Sequence, residues 1–131
     1  MDIQSITTFL TQHIPGLQAV YHFGSQVRGD ALPGSDIDLA ILARDRIPAE
    51  RLFELAQEMA VGLGRDVDLL DLRQASTVMR AQVISTAQCI GSQDEPARAE
   101  FEMYAYSDYA RLNEERRELL KDIKERGLIY G

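Results

Sequence analysis

Short apolar segments of strand length, separated by segments with helical spacing, constrain the fold of this chain more than any other feature. Segments 17–23, 36–43 and 66–72 are rich in branched and aromatic residues and predict three β-strands. Strands that alternate with helices predict an α/β or α+β sheet with helices packed on it. The segments with helical spacing or helix-start signals are 3–13, 48–63, 77–86 and 96–126, and further signals predict a short helix over 25–31, a turn over 32–34 and an edge strand over 88–90.

The length and charge of the chain limit its size class and its partners. Its 131 residues suit one domain, expected to cover 1–131 with a C-terminal helix over about 95–126. The 14 basic and 21 acidic residues give a net charge of −7. Proteins that bind duplex nucleic acid by neutralising its phosphates usually have a basic surface. We therefore expect no direct nucleic-acid binding, and a protein or small-molecule partner instead.

Cysteine usage and the N-terminal sequence predict a cytoplasmic protein. The single cysteine, Cys89, cannot form an internal disulfide and is expected to be an inert, mostly buried thiol in a reducing compartment. The segment MDIQSITTFL has neither the positive charge nor the apolar run of a signal peptide. No stretch approaches the roughly 18 apolar residues of a membrane-spanning helix, so we expect no membrane association.

A glycine and a serine follow the first predicted strand. Gly24 lets the backbone approach a ligand closely, and the Ser25 hydroxyl adds a donor. Free N–H groups at the start of the short helix predicted after them would attract phosphate. A Gly-Ser pair after a strand is by itself more often a plain turn, so this motif gains weight only from its neighbours.

Two aspartates, Asp36 and Asp38, stand two positions apart in the second predicted strand. Side chains at i and i+2 share one face of a strand, with their Cα atoms about 7 Å apart. Two bare carboxylates there would repel each other, and Mg²⁺ would relieve the repulsion because it takes oxygen ligands and keeps substrate phosphates as the remainder. The polar side of an edge strand would show the same spacing, so the pair alone leaves both interpretations open.

A third carboxylate lies in the next predicted strand, where Asp68 stands between Val67 and Leu69. A carboxylate among apolar residues needs a partner, because an unpaired buried charge is costly. If the two strands are neighbours, Asp68 can join Asp36 and Asp38. Asp66 shares the same predicted face and is the rival candidate, whereas Asp71 points the other way and is expected to be a surface or capping residue.

Three acids, a phosphate-holding turn and a divalent metal together suit phosphoryl or nucleotidyl transfer. In such reactions the protein mainly positions the reactants and neutralises charge, which bridging metal ions do well.

The segment GSQVRGDALPGSDIDLAIL, with Gly24-Ser25 followed after ten residues by Asp36-x-Asp38, closely resembles the nucleotidyltransferase motif of the DNA polymerase β-like superfamily. More narrowly, the chain resembles the minimal nucleotidyltransferases, the MntA-type antitoxins that are paired with HEPN-domain (HepT-type) toxins. This resemblance implies an α+β fold, with a small mixed β-sheet, helices packed on it and a long C-terminal helix. The motif over residues 23–40 is the specific part, whereas the last 40 or so residues match only in character.

The resemblance implies a role for each site residue. Asp36, Asp38 and Asp68 would be the metal-binding carboxylates for two Mg²⁺ ions, and Asp68, the third acid, would also help to activate the attacking hydroxyl. Gly24 and Ser25 would hold the triphosphate of ATP.

Arg28 lies where the family commonly has a basic residue near the nucleotide. Gln26 and Val27 depart mildly from the small or basic residues that are frequent at their positions.

The implied function is that of an antitoxin that transfers AMP from ATP to a tyrosine of a HEPN ribonuclease toxin. Two alternatives remain open from the sequence. One is a non-catalytic antitoxin that acts by binding and occlusion, although such a protein has no use for three clustered carboxylates. The other is a small-molecule nucleotidyltransferase, although residues 76–131 are few for a separate acceptor-binding domain.

Histidines and tyrosines outside the motif have simpler interpretations. His13 and His22 have no second ligand at metal-binding spacing and are expected to be satisfied structural residues. Tyr104, Tyr106 and Tyr109 could contribute to a partner interface, where tyrosine is enriched. For Tyr109, packing against the sheet is the plainer expectation.

Overall fold

The structure is a computed structural model that describes residues 3–24 and 36–127. It contains one mixed four-stranded sheet with helices on both faces, which confirms the predicted α+β class. In chain order its elements are α1 (Ile3–His13), β1 (Leu17–Phe23), β2 (Ile37–Ala43), α2 (Ala49–Leu63), β3 (Val67–Asp71), α3 (Thr77–Thr86), β4 (Gln88–Ser92) and α4 (Glu95–Glu125).

The strand order β3-β2-β1-β4 places the two acidic strands side by side. Strand β1 is antiparallel to β2 and to β4, whereas β2 and β3 are parallel. Parallel neighbours need a long crossover, and α2 supplies it. The amino-terminal ends of β2 and β3 therefore meet at one end of the sheet.

Helices α1 and α2 cover one face of the sheet. Their apolar residues recur at helical spacing and meet the alternate residues of the strands, as amphipathic elements must to bury their apolar sides. Among the residues of this core are Ile6, Leu10, Val20, Leu39, Ile41, Leu55, Met59 and Val67.

Helices α3 and α4 cover the opposite face. The strand residues there are the intervening ones, so Asp38 and Asp68 belong to this face together with Ala40, Leu42 and Leu70. The core on this side includes Ala19, Tyr21, Ala40, Leu42, Leu72, Val83, Phe101 and Ala105. The two catalytic candidates within the strands consequently face the side of the sheet that carries the C-terminal helix.

Local signals explain where the helices begin and end. Gly64 ends α2 with φ +68°, a left-handed conformation that glycine adopts readily. The side chain of Ser76 accepts a hydrogen bond from the Met79 N–H at 3.1 Å at the start of α3. Asp94 caps α4 in the same way by accepting from the Ala97 N–H at 3.1 Å.

Helix α4 is far longer than the surface that it covers. Its 31 residues span about 46 Å, yet only Phe101 and Ala105 are buried. The phenol of Tyr21 donates a hydrogen bond to Glu102 Oε1 at 2.8 Å and ties the first turns of α4 to the sheet. Burial and the adjacent carboxylate raise the pKa of Tyr21 far above its ordinary value, so this phenol stays a donor.

Several sequence predictions need correction or lie beyond the described residues. The helical spacing of Phe101, Ala105, Tyr109, Leu112, Leu119 and Ile123 predicts one apolar stripe along α4. This stripe is buried only at its start, and Leu119 is 58% exposed because no sheet lies beneath it. Strand β4 continues to Ser92, two residues further than expected. The short helix predicted over 25–31 and the turn over 32–34 lie outside the described residues. Within the described ranges, no helix is both long and apolar enough to cross a membrane.

Candidate functional site

The first residues of β2 and β3 bring two of the predicted carboxylates together. Asp38 and Asp68 are direct register partners in the parallel pair, on strands that run about 4.8 Å apart. Register partners in a parallel pair point to the same face, so both carboxylates leave the sheet on one side. Asp38 is half-buried and Asp68 is exposed, which leaves the pair open to a ligand from solvent.

Asp36 and Asp66 stand level with each other immediately before β2 and β3. The Ile37 N–H donates to the Asp66 carbonyl at 2.9 Å, so the pairing of the two chains already begins here. Both aspartates are exposed. Asp68, not Asp66, is the register partner of Asp38, and this position favours Asp68 as the third acid.

Gly24 lies against the Asp38 carboxylate. It follows Phe23, whose register partner in β2 is Asp38, and its φ of +88° is one that other residues rarely adopt. A Cβ atom at Gly24 would overlap the Asp38 carboxylate. The backbone at Gly24 therefore packs closely against one of the acids, whereas its predicted approach to a ligand stays a prediction.

Two of the predicted site residues, Ser25 and Arg28, lie outside the described residues. Their roles toward the nucleotide stay predictions that rest on the sequence motif.

The donor set at this end of the sheet suits Mg²⁺. It consists of the carboxylates of Asp36, Asp38 and Asp68, and Mg²⁺ prefers oxygen ligands. Within residues 3–24 and 36–127, no three acidic, histidine or cysteine side chains are grouped closely enough to hold a metal ion by themselves. The binding of Mg²⁺ by Asp36, Asp38 and Asp68 therefore stays a prediction.

Asp71 does not join this site. It faces the other side of the sheet, as expected. Of its two expected roles, surface or capping residue, the surface role is wrong because only 3% of it is exposed. Its carboxylate accepts hydrogen bonds from Ile47 N at 2.9 Å, Arg73 N at 3.0 Å and Gln74 Nε2 at 2.8 Å. Asp71 therefore holds the segment after β2 against the end of β3.

The two histidines differ. His13 is a satisfied structural residue, because its Nδ1 lies 2.8 Å from the Phe9 carbonyl and its ring stacks on Phe9. His22 stands two residues before Gly24, and its Nε2 is buried without a partner in the described part of the chain. Burial, assisted by the positive charge of Arg65, lowers the pKa of His22.

Comparison with known proteins agrees with this geometry. The family described as "Polymerase beta, Nucleotidyltransferase" matches residues 4–96. The chain is 40% identical to the protein adenylyltransferase MntA of Shewanella oneidensis over 124 residues, which are 94% of this chain and 88% of that protein.

Solved structures of toxin–antitoxin complexes give the same result. A toxin–antitoxin structure with AMP-PNP contains a chain that matches with a TM-score of 0.83 and 36% identity, covering 95% of this chain and 99% of that one. A complex of a tri-AMPylated Shewanella oneidensis HEPN toxin with its MNT antitoxin matches with a TM-score of 0.76 and 35% identity, covering 93% of this chain and 95% of that one. The chain therefore belongs to the polymerase β nucleotidyltransferase family, among its MntA-type minimal members.

Proposed function

We propose that this protein is an antitoxin that transfers AMP from ATP to a tyrosine hydroxyl of a cognate HEPN-domain toxin and thereby neutralises it. The observation that carries the proposal is the register pair Asp38–Asp68, with Gly24 packed against Asp38. It stands in a chain that is 40% identical to a protein adenylyltransferase.

The carboxylates would have two roles, metal binding and proton transfer. Asp36 and Asp38 would hold Mg²⁺, which supplies the positive charge that neutralises the phosphates of ATP. Gly24 would hold the triphosphate through its backbone beside Asp38, and Ser25 and Arg28 would contact it from the adjoining segment. The three acids would orient the α-phosphate toward an acceptor on the open side of the sheet.

Asp68 would receive the proton of the acceptor hydroxyl. The hydroxyl oxygen forms a bond to the α-phosphorus while the bond from that phosphorus to the bridging oxygen breaks, and pyrophosphate leaves. A tyrosine hydroxyl has an ordinary pKa near 10, so it needs a base or a metal to react at neutral pH. The place of Asp68 beside Asp38 suits that part.

A HEPN toxin is the partner because the relatives in complexes match this chain over almost its whole length, including α4. A net charge of −7 suits attraction to a basic partner. A reaction that consumes ATP suits the cytoplasm, where we expect the protein to act.

The proposal is tested by incubating the protein with its HEPN partner, Mg²⁺ and ATP labelled at the α-phosphate. We expect label on the partner, no label from ATP carrying it at the γ-phosphate, and loss of toxin activity. The double variant Asp36→Asn/Asp38→Asn should fold normally and fail to label. Neutralisation without label would contradict AMP transfer and favour occlusion, and a double variant that labels at the normal rate would refute the site.

A further inference from the structure

We propose that a second, anion-binding pocket lies at the other end of the sheet, where Arg73 and Arg80 would hold a phosphate group against Phe101. A cavity of about 310 Å³ opens there between α4 and the ends of the strands. It is lined by both arginines and by Phe101, Ala97 and Tyr104. None of these residues has a part in the AMP transfer described above.

Hydrogen bonds to the main chain and to Gln18 fix both guanidinium groups in place. Arg73 donates through Nε to the Ala43 carbonyl at 2.9 Å and through Nη2 to Gln18 Oε1 at 2.9 Å. Arg80 donates through Nε to the Leu72 carbonyl and through Nη2 to the Arg73 carbonyl, both at 2.7 Å. Each group keeps further N–H donors for a ligand, and a ligand that binds them has little side-chain entropy left to freeze.

The ring of Phe101 holds the two charges next to each other. The guanidinium carbons of Arg73 and Arg80 lie 5.3 Å and 5.6 Å from the ring centroid, within the range of a cation–π contact. Phe101 is itself buried in the core between the sheet and α4. The two positive charges therefore lie against a buried aromatic ring, where they are less hydrated than on an open surface.

Neither arginine has an acidic counter-ion in the described residues. Two carboxylates also line the cavity, those of Glu100 and Asp108. Asp108 forms an ion pair with Arg111 at 3.0 Å, and Glu100 is exposed. Two fixed guanidinium groups without a carboxylate partner offer N–H donors and positive charge that suit phosphate.

The pocket is separate from the nucleotide site. Arg73 bonds to Ala43, the last residue of β2, whereas Asp38 stands at the start of that strand. Five residues of strand place the two about 17 Å apart. A phosphate bound at Arg73 and Arg80 is therefore a second ligand and not part of the ATP that reacts.

Ala97 allows a test that leaves every hydrogen bond of the arginines intact. It lies in the first turn of α4 and lines the cavity. Ala97→Glu places a negative charge in the pocket, at a helix position that favours an acid. Ala97→Gln has nearly the same shape and no charge, and so is the matched control.

Inorganic pyrophosphate, titrated calorimetrically into the full-length protein in Mg²⁺-free buffer with a chelator, serves as the probe. We expect binding to the unaltered protein and to Ala97→Gln, and affinity lower by about tenfold or more for Ala97→Glu. Arg80→Gln should lower affinity similarly, and Arg46→Gln, an exposed arginine outside the pocket, should leave it unchanged. Equal affinity of the two Ala97 variants, or no binding at millimolar pyrophosphate, would overturn the proposal.

Discussion

At the scale of single residues, Gly24 follows β1 directly and packs against the carboxylate of Asp38, one of the proposed catalytic acids. A side chain at position 24 meets two obstacles, because it overlaps the carboxylate and its φ of +88° disfavours any residue with a Cβ atom. We expect Gly24→Ala to lower the AMP transfer rate by about tenfold or more by displacing Asp38. It should also lower the free energy of unfolding by about 1 kcal/mol.

Gly64 provides the matched control for this prediction. Its φ is +68°, but nothing lies within 4 Å of the Cβ that alanine would add. Gly64→Ala should therefore cost similar stability, measured by urea denaturation, and leave AMP transfer unchanged. Equal loss of transfer in the two variants would show that strain alone, and not the Asp38 contact, accounts for the effect.

The lowered pKa of His22 predicts how the free energy of unfolding depends on pH. Burial lowers its pKa in the folded state, whereas the unfolded chain keeps the ordinary value near 6.5. The unfolded state therefore binds more protons once the pH falls below about 6.5, and folding free energy is lost there as acid is added. Above that value His22 is neutral in both states and contributes no slope.

The measurement is urea denaturation of the unaltered protein and of His22→Gln at pH 7.5 and at pH 5.5. The unaltered protein should lose more stability between these two pH values than the variant does. Equal losses would contradict the role given to His22, because all other titrating groups are shared.

At the scale of elements, strands and helices follow from the sequence more completely than their arrangement does. The apolar segment 17–23 indicates a strand and the amphipathic segment 49–63 indicates a helix, because both patterns are local in the sequence. The observed elements agree with them. The order β3-β2-β1-β4 depends on contacts between distant segments, which no local pattern records. Sequence spacing therefore identified Asp38 and Asp68 as candidates, but only the parallel register made them neighbours.

The burial of Asp71 was not predictable from its strand. Its hydrogen-bond partners Ile47 and Gln74 lie on segments before and after β3, and their convergence is a property of the folded chain. The N–H groups that it satisfies include the backbone of the buried residue Ile47.

Removal of this carboxylate should destabilise the protein without touching the catalytic acids. We expect Asp71→Ala to lower the free energy of unfolding by about 3 kcal/mol, because buried donors lose their acceptor. Asp45→Ala, which alters an exposed aspartate of the segment after β2, should change it by less than about 0.5 kcal/mol. The measurement is the urea denaturation midpoint of each variant. Similar midpoints for the two variants would contradict the assigned role of Asp71.

The far half of α4 continues an apolar stripe past the edge of the sheet. Leu112, Leu119 and Ile123 follow Phe101 and Ala105 at helical spacing, and Leu119 is largely exposed. A structure that matches 93% of this chain is a complex of a HEPN toxin with its MNT antitoxin. We expect the toxin to cover this stripe in the complex.

Leu119→Glu should therefore weaken toxin binding by about tenfold or more, measured as a dissociation constant without ATP. Lys121→Glu, which changes the charge on the opposite side of the helix, is the control and should bind as the unaltered protein does. An unchanged dissociation constant for Leu119→Glu would place the toxin elsewhere.

At the scale of the whole molecule, the two proposed binding sites lie at opposite ends of the sheet. Asp36, Asp38 and Asp68 stand where β2 and β3 begin, and Arg73 and Arg80 donate hydrogen bonds to main-chain carbonyls where or just after these strands end. The net charge of −7 does not reveal this arrangement. We therefore expect a phosphate to bind at Arg73 and Arg80 independently of Mg²⁺ and ATP at the acidic end.

The central claim is that the register pair Asp38–Asp68 performs AMP transfer, and Asp68→Asn compared with Asp66→Asn tests it most directly. The two variants make the same chemical change two residues apart on one exposed edge. The measurement is the single-turnover rate of AMP transfer from ATP to the HEPN partner. We predict a loss of about a hundredfold or more for Asp68→Asn and a change of no more than about threefold for Asp66→Asn. A normal rate for Asp68→Asn, or a larger loss for Asp66→Asn, would contradict the account.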